Sequence, residues 1–182
     1  MMATSDGQIH ALKVGDRTHR IVAELLTRGI PLVRSHRTAS ITRCASEIFK
    51  AHPVTYRPRE SYFDAVSAAG VYLNRFSPLA PWSVFAIEKQ VGTRRLDVAY
   101  RSLGTGYLID EIKLGVGRYG EDAVQQQISA YLEAGTELWG AEFIGVRLCA
   151  IHEPSQTRLY VPGSSSPSLI AESAFAKELS VR

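Results

Sequence analysis

The segment that decides the fold spans residues 94–113 and reads RRLDVAYRSLGTGYLIDEIK. Two short apolar runs flank the Gly-rich residues 103–106, a pattern that predicts two strands joined by a turn. Asp97 lies on the first predicted strand, whereas Glu111 and Lys113 close the second. Because side chains alternate between the two faces of a strand, Glu111 and Lys113 are expected to share a face.

The charged residues of this hairpin permit two interpretations. In the first, the turn brings Asp97 beside Glu111, and the two carboxylates hold Mg²⁺, which takes one or two carboxylate oxygens and keeps several waters. Lys113 would then orient an attacking water or help to deprotonate it, while Ile112 points into the opposite layer. In the second, Asp97, Glu111 and Lys113 are solvated positions on an amphipathic hairpin. The spacing alone does not decide between them.

Length and composition indicate a globular protein. A chain of 182 residues is long enough for one domain with a sizeable core, or for one domain with an appendage. No apolar run approaches the roughly 20 residues that span a bilayer, and the N-terminus lacks a signal pattern, so a soluble, cytoplasmic protein is expected. Cys44 and Cys149 lie in apolar contexts without metal-ligand spacing, which predicts buried, reduced thiols.

The net charge of +3 is unevenly distributed along the chain. Residues 1–60 hold ten Lys and Arg against five Asp and Glu, whereas residues 61–182 hold eleven against thirteen. A basic lobe beside an acidic metal site suits a polyanionic substrate, because neutralisation of phosphates drives non-specific affinity for nucleic acids. Arginines on solvated helix faces would produce the same count, so the charge favours nucleic acid only weakly.

Residues 1–81 are predicted to form a basic helical region that packs on the core. The spacing of apolar residues predicts three helices and an intervening loop or extended segment, the helices over residues 16–29, 40–51 and 60–76 and the loop over residues 31–38. Asp16 is the predicted cap of the first helix. Pro53 and Pro58 are expected to interrupt the chain before the third helix.

Two features of this N-terminal region bear on function. Glu24, on the first predicted helix, would either approach the metal site or face solvent. Residues 30–52, with two short helices around a basic turn, would either contact phosphates or pack on the core as a small insertion. The histidines of the chain show no spacing typical of zinc ligands.

Residues 82–162 form the predicted core and residues 163–182 a linker with a tail helix, all within one compact domain. Apolar patterns predict strands over residues 82–91, 139–151 and 158–161, a helix over residues 121–135 that stops at Gly135, and the tail helix over residues 168–180. The helix between two strands implies a right-handed crossover. Glu88, near the end of the first strand, would either bind the metal or pair with Arg94 or Arg95.

The order helix, three strands, helix, strand, with Asp97 on the second strand and EIK at residues 111–113 on the third, resembles the PD-(D/E)XK superfamily of nucleases, also called restriction-endonuclease-like. The sequence QISAY at residues 127–131 resembles the glutamine and tyrosine signature of its exonuclease and recombination-nuclease branches. The resemblance covers about residues 82–151. The family's proline is absent before Asp97. Asp110 competes with Glu111 for the acidic position, but strand parity favours Glu111.

This resemblance implies a fold, a cofactor and a set of roles. The fold would be an α/β restriction-endonuclease-like αβββαβ core, with a mixed central sheet flanked by helices and an N-terminal helical region. The cofactor would be Mg²⁺, one or two ions, with Mn²⁺ as a substitute. Its ligands would be Asp97, Glu111 and the backbone carbonyl of Ile112, with Glu88 as a further candidate. Glu24 or Glu60 would be the helical acid of some branches.

The remaining implied roles fall on the lysine and on the following helix. Lys113 would position the attacking water. Gln127 would orient a ligand or that water, and Tyr131 would contact a phosphate or pack beneath the site. The alternative for Gln127 and Tyr131 is a solvated helix face that carries a half-buried tyrosine.

The function implied is metal-dependent hydrolysis of phosphodiester bonds in DNA, with RNA as an open alternative. The enzyme would act alone, as a toxin-like effector, or as one subunit of a defence or repair assembly. The alternative is a nuclease-fold binding or structural subunit that does not cut. The expected partners are nucleic acid, DNA rather than RNA, and a protein partner or a second copy, with no membrane. The sequence lacks a recognisable base-reading module, which favours structure-guided or partner-guided cutting.

Overall fold

A computed structural model describes residues 6–29, 34–51, 59–78, 81–91, 94–115, 120–164 and 167–169. The chain divides into two compact units, residues 1–74 and 75–182. The division falls within a π-helix, Tyr72–Phe76. The predicted break at Pro53 and Pro58 and the predicted tail helix beyond residue 169 lie outside the described residues. Residues 168 and 169, which were expected to open that helix, form a short strand instead.

The first unit consists of helices whose bounds are α1 Asp6–Thr27, α2 Arg34–Ala51 and α3 Arg59–Val71. The prediction that Asp16 caps the first helix is wrong, because α1 begins at Asp6. Asp16 lies inside α1 and pairs with Arg20 one turn later at 3.7 Å. Buried Val14 extends the apolar stripe of Ile21 and Leu25 toward the N-terminus, so packing carries the helix past the predicted start.

The predicted loop over residues 31–38 is also wrong from residue 34 onward, because α2 begins at Arg34. Residues 34–38 contain neither Gly nor Pro, so nothing in their backbone opposes a helix that continues into the buried side chains of Ile41, Ala45 and Ile48. None of the described helices combines the length and the apolar character needed to cross a membrane.

The second unit is built on a six-stranded sheet in the order β1-β4-β5-β6-β7-β8, with β2 and β3 forming a separate hairpin. The strands are β1 Trp82–Ile87, β2 Gln90–Val91, β3 Arg94–Arg95, β4 Val98–Ser102, β5 Gly106–Lys113, β6 Phe143–Ala150, β7 Arg158–Tyr160 and β8 Ser168–Leu169. Only β5 and β6 pair in parallel among the described strands, and α4 Glu121–Trp139 connects them. The prediction of an α/β fold with a mixed sheet is confirmed.

The strand predicted over residues 82–91 is interrupted at Glu88. The first strand ends at Ile87, and Glu88 has φ 50°, a left-handed conformation that costs free energy in a residue with a Cβ atom. The Glu88 amide donates to the Asp97 carbonyl oxygen at 2.9 Å, which ties this bend to the segment before β4. The predicted single strand is therefore a strand, a bend and the short strand β2.

One face of the sheet packs against α4. The buried side chains of this layer are Val91, Leu96, Ala99, Ile109, Val124, Ile128, Tyr131, Phe143, Val146 and Leu148. Residues of odd number on β5 lie on this face, so the layer continues from Ile109 toward Glu111 and Lys113 at the end of the strand. The polar end of β5 is thereby placed beside the middle of α4.

The predicted stop at Gly135 and the predicted strand start at residue 139 are both wrong, because α4 continues to Trp139. Gly135 is buried against the ring of Phe143, where a Cβ atom would lie 2.3 Å from Phe143 Cζ. Gly135 therefore serves the close approach of α4 to β6 rather than a helix end. Cys149 is buried as predicted, and burial raises the pKa of its thiol well above the ordinary value; Cys44 is half-buried.

Replacing Gly135 with alanine is expected to destabilise the protein, although alanine is the better helix former. The gain in helix propensity is about 1 kcal/mol, whereas overpacking of a core costs about 1–3 kcal/mol, and buried Phe143 also contacts Trp139 with ring centroids 5.5 Å apart. Gly70, a helical glycine where an added Cβ atom would meet no heavy atom within 4 Å, is the matched control. Urea unfolding followed by circular dichroism should show Gly70→Ala unchanged or stabilised, and a stabilised Gly135→Ala would contradict this packing.

Candidate functional site

The candidate site lies where the segment before β4 meets the end of β5. Val98 pairs with Asp110, so Asp97, one residue before β4, stands opposite Glu111. Asp97 Oδ2 accepts a hydrogen bond from the Ile112 backbone amide at 2.7 Å. The structure thus brings Asp97 to Glu111 as the hairpin predicted, although Asp97 precedes the strand rather than lying on it. The use of the Ile112 carbonyl as a metal ligand stays a prediction.

Glu111 and Lys113 share the face that packs against α4, and they form an ion pair. Lys113 Nζ lies 2.5 Å from Glu111 Oε1, and the two side chains are 11% and 1% exposed. Strand alternation explains the contact, because side chains two residues apart project in the same direction. The alternative of a solvated hairpin face is wrong for these two residues, since solvent hardly reaches them.

Gln127 and Tyr131 of α4 join this ion pair through a chain of hydrogen bonds. Lys113 Nζ donates to Gln127 Oε1 at 3.1 Å, and Gln127 Nε2 donates to the Tyr131 hydroxyl oxygen at 3.0 Å. The Tyr131 hydroxyl donates to the Arg95 carbonyl oxygen at 2.6 Å. The spacing of four residues places Gln127 one helical turn before Tyr131, which makes their contact possible. These hydrogen bonds therefore connect α4 to the ends of β5 and β3.

Tyr131 is fully buried and lies beneath the site. Of the two roles expected for it, packing beneath the site matches this position, whereas contact with a phosphate does not. Burial, and after it the negative charge of Glu111, raise the pKa of the Tyr131 phenol above its ordinary value of 10.0. The phenol consequently keeps its proton and remains a hydrogen-bond donor throughout the neutral range.

Replacing Tyr131 with phenylalanine is expected to cost about 0.5–1.5 kcal/mol at neutral pH, because the hydrogen bond from the Tyr131 hydroxyl to the Arg95 carbonyl oxygen is lost. The unfolded phenol ionises near pH 10, whereas the folded one ionises at higher pH. Its contribution to stability is therefore complete below about pH 10 and is lost as the pH rises beyond that value. Urea unfolding between pH 8 and pH 11 should show the two proteins converging, and a constant difference would contradict the raised pKa.

Glu88 also lies at the site, where the predicted pairing with an arginine is present and a role in binding metal stays a prediction. Glu88 Oε2 pairs with Arg95 Nε at 2.8 Å. Carboxylate oxygens of Glu88 and Asp97 also lie within 4.8 Å of one another, a separation that one cation with oxygen ligands at 2.0–2.6 Å bridges. The bend at Glu88 produces this approach, because it directs the end of β1 toward the segment before β4.

Asp110 lies on the opposite face of β5, as strand parity predicted. Its carboxylate forms a two-point ion pair with Arg147 of β6, with Arg147 Nε 2.8 Å from Oδ1 and Arg147 Nη2 2.5 Å from Oδ2. Arg147 Nη2 also donates to the Phe76 carbonyl oxygen at 2.6 Å. Both side chains are buried. Asp110 is therefore occupied by a structural contact.

The helical acid expected from the resemblance is not identified by the described contacts. Glu24 belongs to the first unit, where it pairs with Arg28 at 2.8 Å, and Arg28 also pairs with Glu47 at 3.0 Å. Glu60 lies on α3, but its side chain is outside the described residues. A role for either glutamate in binding metal stays a prediction.

One hydrogen-bond acceptor of the site could not be predicted from the sequence. The carbonyl oxygen of Arg95 ends the hydrogen-bond chain, and the Arg95 side chain pairs with Glu88. The side-chain pairing was among the sequence expectations, but a backbone acceptor belongs to every residue type and leaves no pattern.

Two carboxylates of this site, those of Asp97 and Glu88, approach each other closely enough to serve a hard divalent cation as ligands. Asp97 is 7% exposed and Glu111 is 1% exposed, and Glu88, whose carboxylate approaches that of Asp97, is half-buried. Lys113 neutralises one of these three carboxylates within the site, and Arg95 reaches Glu88 from a more exposed position. Desolvated like charges repel, so a cation bound between these carboxylates would relieve the repulsion. Oxygen atoms are also the ligands that Mg²⁺ and Mn²⁺ accept.

Comparisons of the chain with protein-family models, curated proteins and solved structures find no match.

Proposed function

We propose that this protein is a metal-dependent nuclease of the restriction-endonuclease-like superfamily, which hydrolyses phosphodiester bonds in DNA. The observation that carries this proposal is the continuous polar chain from Glu111 through Lys113 and Gln127 to Tyr131, with Asp97 held to the same strand end. A solvated helix face would not bring a largely buried lysine, a glutamine and a buried tyrosine into hydrogen-bond contact.

The residues of the candidate site have different roles in this proposal. Asp97, Glu111 and Glu88 would hold Mg²⁺, with the Ile112 carbonyl oxygen as a further ligand. The bound ion would stabilise charge on the phosphoryl oxygens and lower the pKa of a coordinated water. Lys113 would position the attacking water, since Glu111 and Gln127 together fix the place of its ammonium group.

The helix residues act on the lysine rather than on the substrate. Gln127 accepts from Lys113 through Oε1, so its amide restricts the rotation of the lysine side chain. Tyr131 fixes the amide in turn, because its hydroxyl accepts from Gln127 Nε2. Positioning of this kind matters for catalysis, since displacement of a catalytic group by about 1 Å lowers rates about 10²-fold. Both are therefore positioning residues in this proposal.

The test is an assay of the full-length protein against linear duplex, circular duplex and single-stranded DNA and against RNA, with Mg²⁺ or Mn²⁺ and with EDTA. Cleavage of DNA that requires the metal is expected. A second readout is thermal unfolding with and without Mn²⁺, because a ligand that binds the folded state raises the melting temperature. Wild type should be stabilised by Mn²⁺ more than Asp97→Asn is, and Asp122→Asn, an exposed acid on α4, should behave as wild type.

The two readouts separate the competing functions. A protein that shows no cleavage and no stabilisation by Mn²⁺ would overturn the proposal. Binding of DNA without cleavage, in a protein that Mn²⁺ does not stabilise, would favour a nuclease-fold binding or structural subunit. Cleavage of RNA but not DNA would retain the chemistry and correct the substrate.

A further inference from the structure

An aromatic cluster lies on the α4 face of the sheet, at the end remote from Glu111. Tyr107 of β5 and Trp139 of α4 are stacked, with ring centroids 4.7 Å apart and planes inclined by 4°. Phe85 of β1 meets both rings nearly at right angles, at 5.1 Å from Tyr107 and 6.0 Å from Trp139. Phe143 completes the cluster at 5.5 Å from Trp139. We refer to these four rings as the aromatic platform.

Phe85 is the exposed member of the platform. Its side chain is 42% exposed, on a strand that stands at one edge of the six-stranded sheet. Val84 pairs with Tyr100 and Ala86 with Ala99, so Phe85 is the extra residue of a β-bulge. Bulges redirect side chains, and they are frequent at sheet edges and next to active sites. The bulge leaves Phe85 against the other rings while part of its surface stays in solvent.

Two exposed cations accompany the exposed ring. Lys89 Nζ lies 5.5 Å from the centroid of Phe85, and Arg101 Cζ lies 5.4 Å from the centroid of Tyr107. Both distances are within the range of cation–π attraction. The platform therefore combines an accessible aromatic surface with two neighbouring positive charges, whereas an ordinary apolar contact surface is depleted of lysine.

We infer that the aromatic platform binds single-stranded nucleic acid, with an unpaired base stacked on Phe85 and the neighbouring phosphates beside Lys89 and Arg101. This inference rests on the proposed function and specifies its substrate class. Aromatic side chains with flanking cations are the general means by which proteins hold single strands without reading their sequence. Duplex DNA buries the faces of its bases in the stack, so it offers such a platform only its ends or unpaired segments.

The position of the platform agrees with this assignment. Glu88 follows Phe85 by three positions, which corresponds to about 10 Å at the rise of a strand. Lys89, which lies near the Phe85 ring, directly follows Glu88 in the chain. A nucleic acid with a base stacked on Phe85 would thus have the phosphates next to that base between Phe85 and the carboxylates of Glu88 and Asp97.

The test measures the affinity of the full-length protein for a fluorescein-labelled oligothymidylate in EDTA, so that binding is separated from cleavage. Phe85→Leu keeps an apolar side chain but removes the planar ring, and we expect it to weaken binding roughly five- to a hundredfold. Phe85→Tyr keeps the ring and should stay within about twofold of wild type. Phe63→Leu, at an exposed phenylalanine on α3, is the matched control and should bind as wild type.

A second variant tests the cations through the salt dependence of binding. Arg101→Gln should lower the slope of log Kd against log salt by about 0.7, the value for one phosphate contact to a single strand. Circular dichroism and urea unfolding would verify that each variant folds. An affinity of Phe85→Leu equal to that of wild type would overturn the inference, as would equal losses in Phe85→Leu and Phe85→Tyr.

Two further outcomes distinguish this inference from the proposed nuclease activity. If the oligonucleotide binds through Phe85 but no substrate is cleaved and Mn²⁺ does not stabilise the protein, the platform stands and the nuclease proposal fails. If the protein cleaves DNA but the Phe85 variants bind single strands as wild type does, only the platform fails. Loss of self-association in Phe85→Leu with unchanged oligonucleotide affinity would assign the surface to a second copy of the chain and also overturn the inference.

Discussion

Replacing Asp97 with asparagine is expected to lower kcat/KM for metal-dependent DNA cleavage by about 10³-fold, while the protein remains folded. Asparagine retains a side-chain oxygen that accepts the hydrogen bond from the Ile112 amide, so the link between the two strand ends survives. The change removes one negative charge from the carboxylates that would hold the metal. A bound metal contributes several kcal/mol of transition-state stabilisation, and each 1.36 kcal/mol corresponds to a tenfold change in rate.

The stability of Asp97→Asn has to be measured beside its activity, so that a loss of cleavage is not caused by unfolding. The free energy of unfolding of Asp97→Asn should be unchanged or higher in EDTA, because removal of one of several desolvated like charges relieves repulsion. Asp122→Asn, which changes an exposed acid in the first turn of α4, should cleave at the wild-type rate. An Asp97→Asn variant that cleaves within tenfold of wild type would remove Asp97 from the proposed catalytic machinery.

Replacing Arg147 with methionine is expected to destabilise the protein by about 3–5 kcal/mol. Methionine approximates the aliphatic part of arginine, but it leaves the Asp110 carboxylate buried and charged without its partner. The Phe76 carbonyl oxygen also loses a donor. Because the whole stability of a domain is about 5–15 kcal/mol, this single change would remove a large part of it.

Urea unfolding of three variants would verify the cause. Arg95→Met breaks the more exposed pair with Glu88 and should cost no more than about 1 kcal/mol. The double variant Arg147→Met with Asp110→Leu removes both buried charges, and it should recover much of the lost stability. A double variant as unstable as Arg147→Met alone would show that the arginine acts through its packing rather than through the ion pair.

Local rules predicted the arrangement of β5 because they depend on the residues of that strand alone. Alternation of side chains separates Glu111 and Lys113 from Asp110, and the structure places the first two under α4 and the third on the opposite face. The spacing of Gln127 and Tyr131 on a helix is equally local. These relations survive folding because the geometry of a strand or a helix fixes them.

The features that the sequence did not reveal depend on distant contacts. Arg147 and Asp110 meet because β5 and β6, which α4 connects along the chain, pair in a parallel register. No local pattern of residues encodes that register. The bend at Glu88 is held by the Asp97 carbonyl oxygen. The extension of α4 beyond Gly135 follows from its packing against Phe143. In each case a tertiary contact overrides a local preference.

The direction of the hydrogen bonds that lead from Lys113 has a consequence for the movement of protons. All three bonds point the same way, from the lysine through the Gln127 amide to the Tyr131 hydroxyl and on to the Arg95 carbonyl oxygen. An amide in this orientation does not pass a proton back, and the phenol beyond it holds its own proton tightly. The residues of α4 therefore do not transfer protons to or from Lys113. Of the two contacts described for Lys113, only the one with Glu111 leads to a group that accepts a proton.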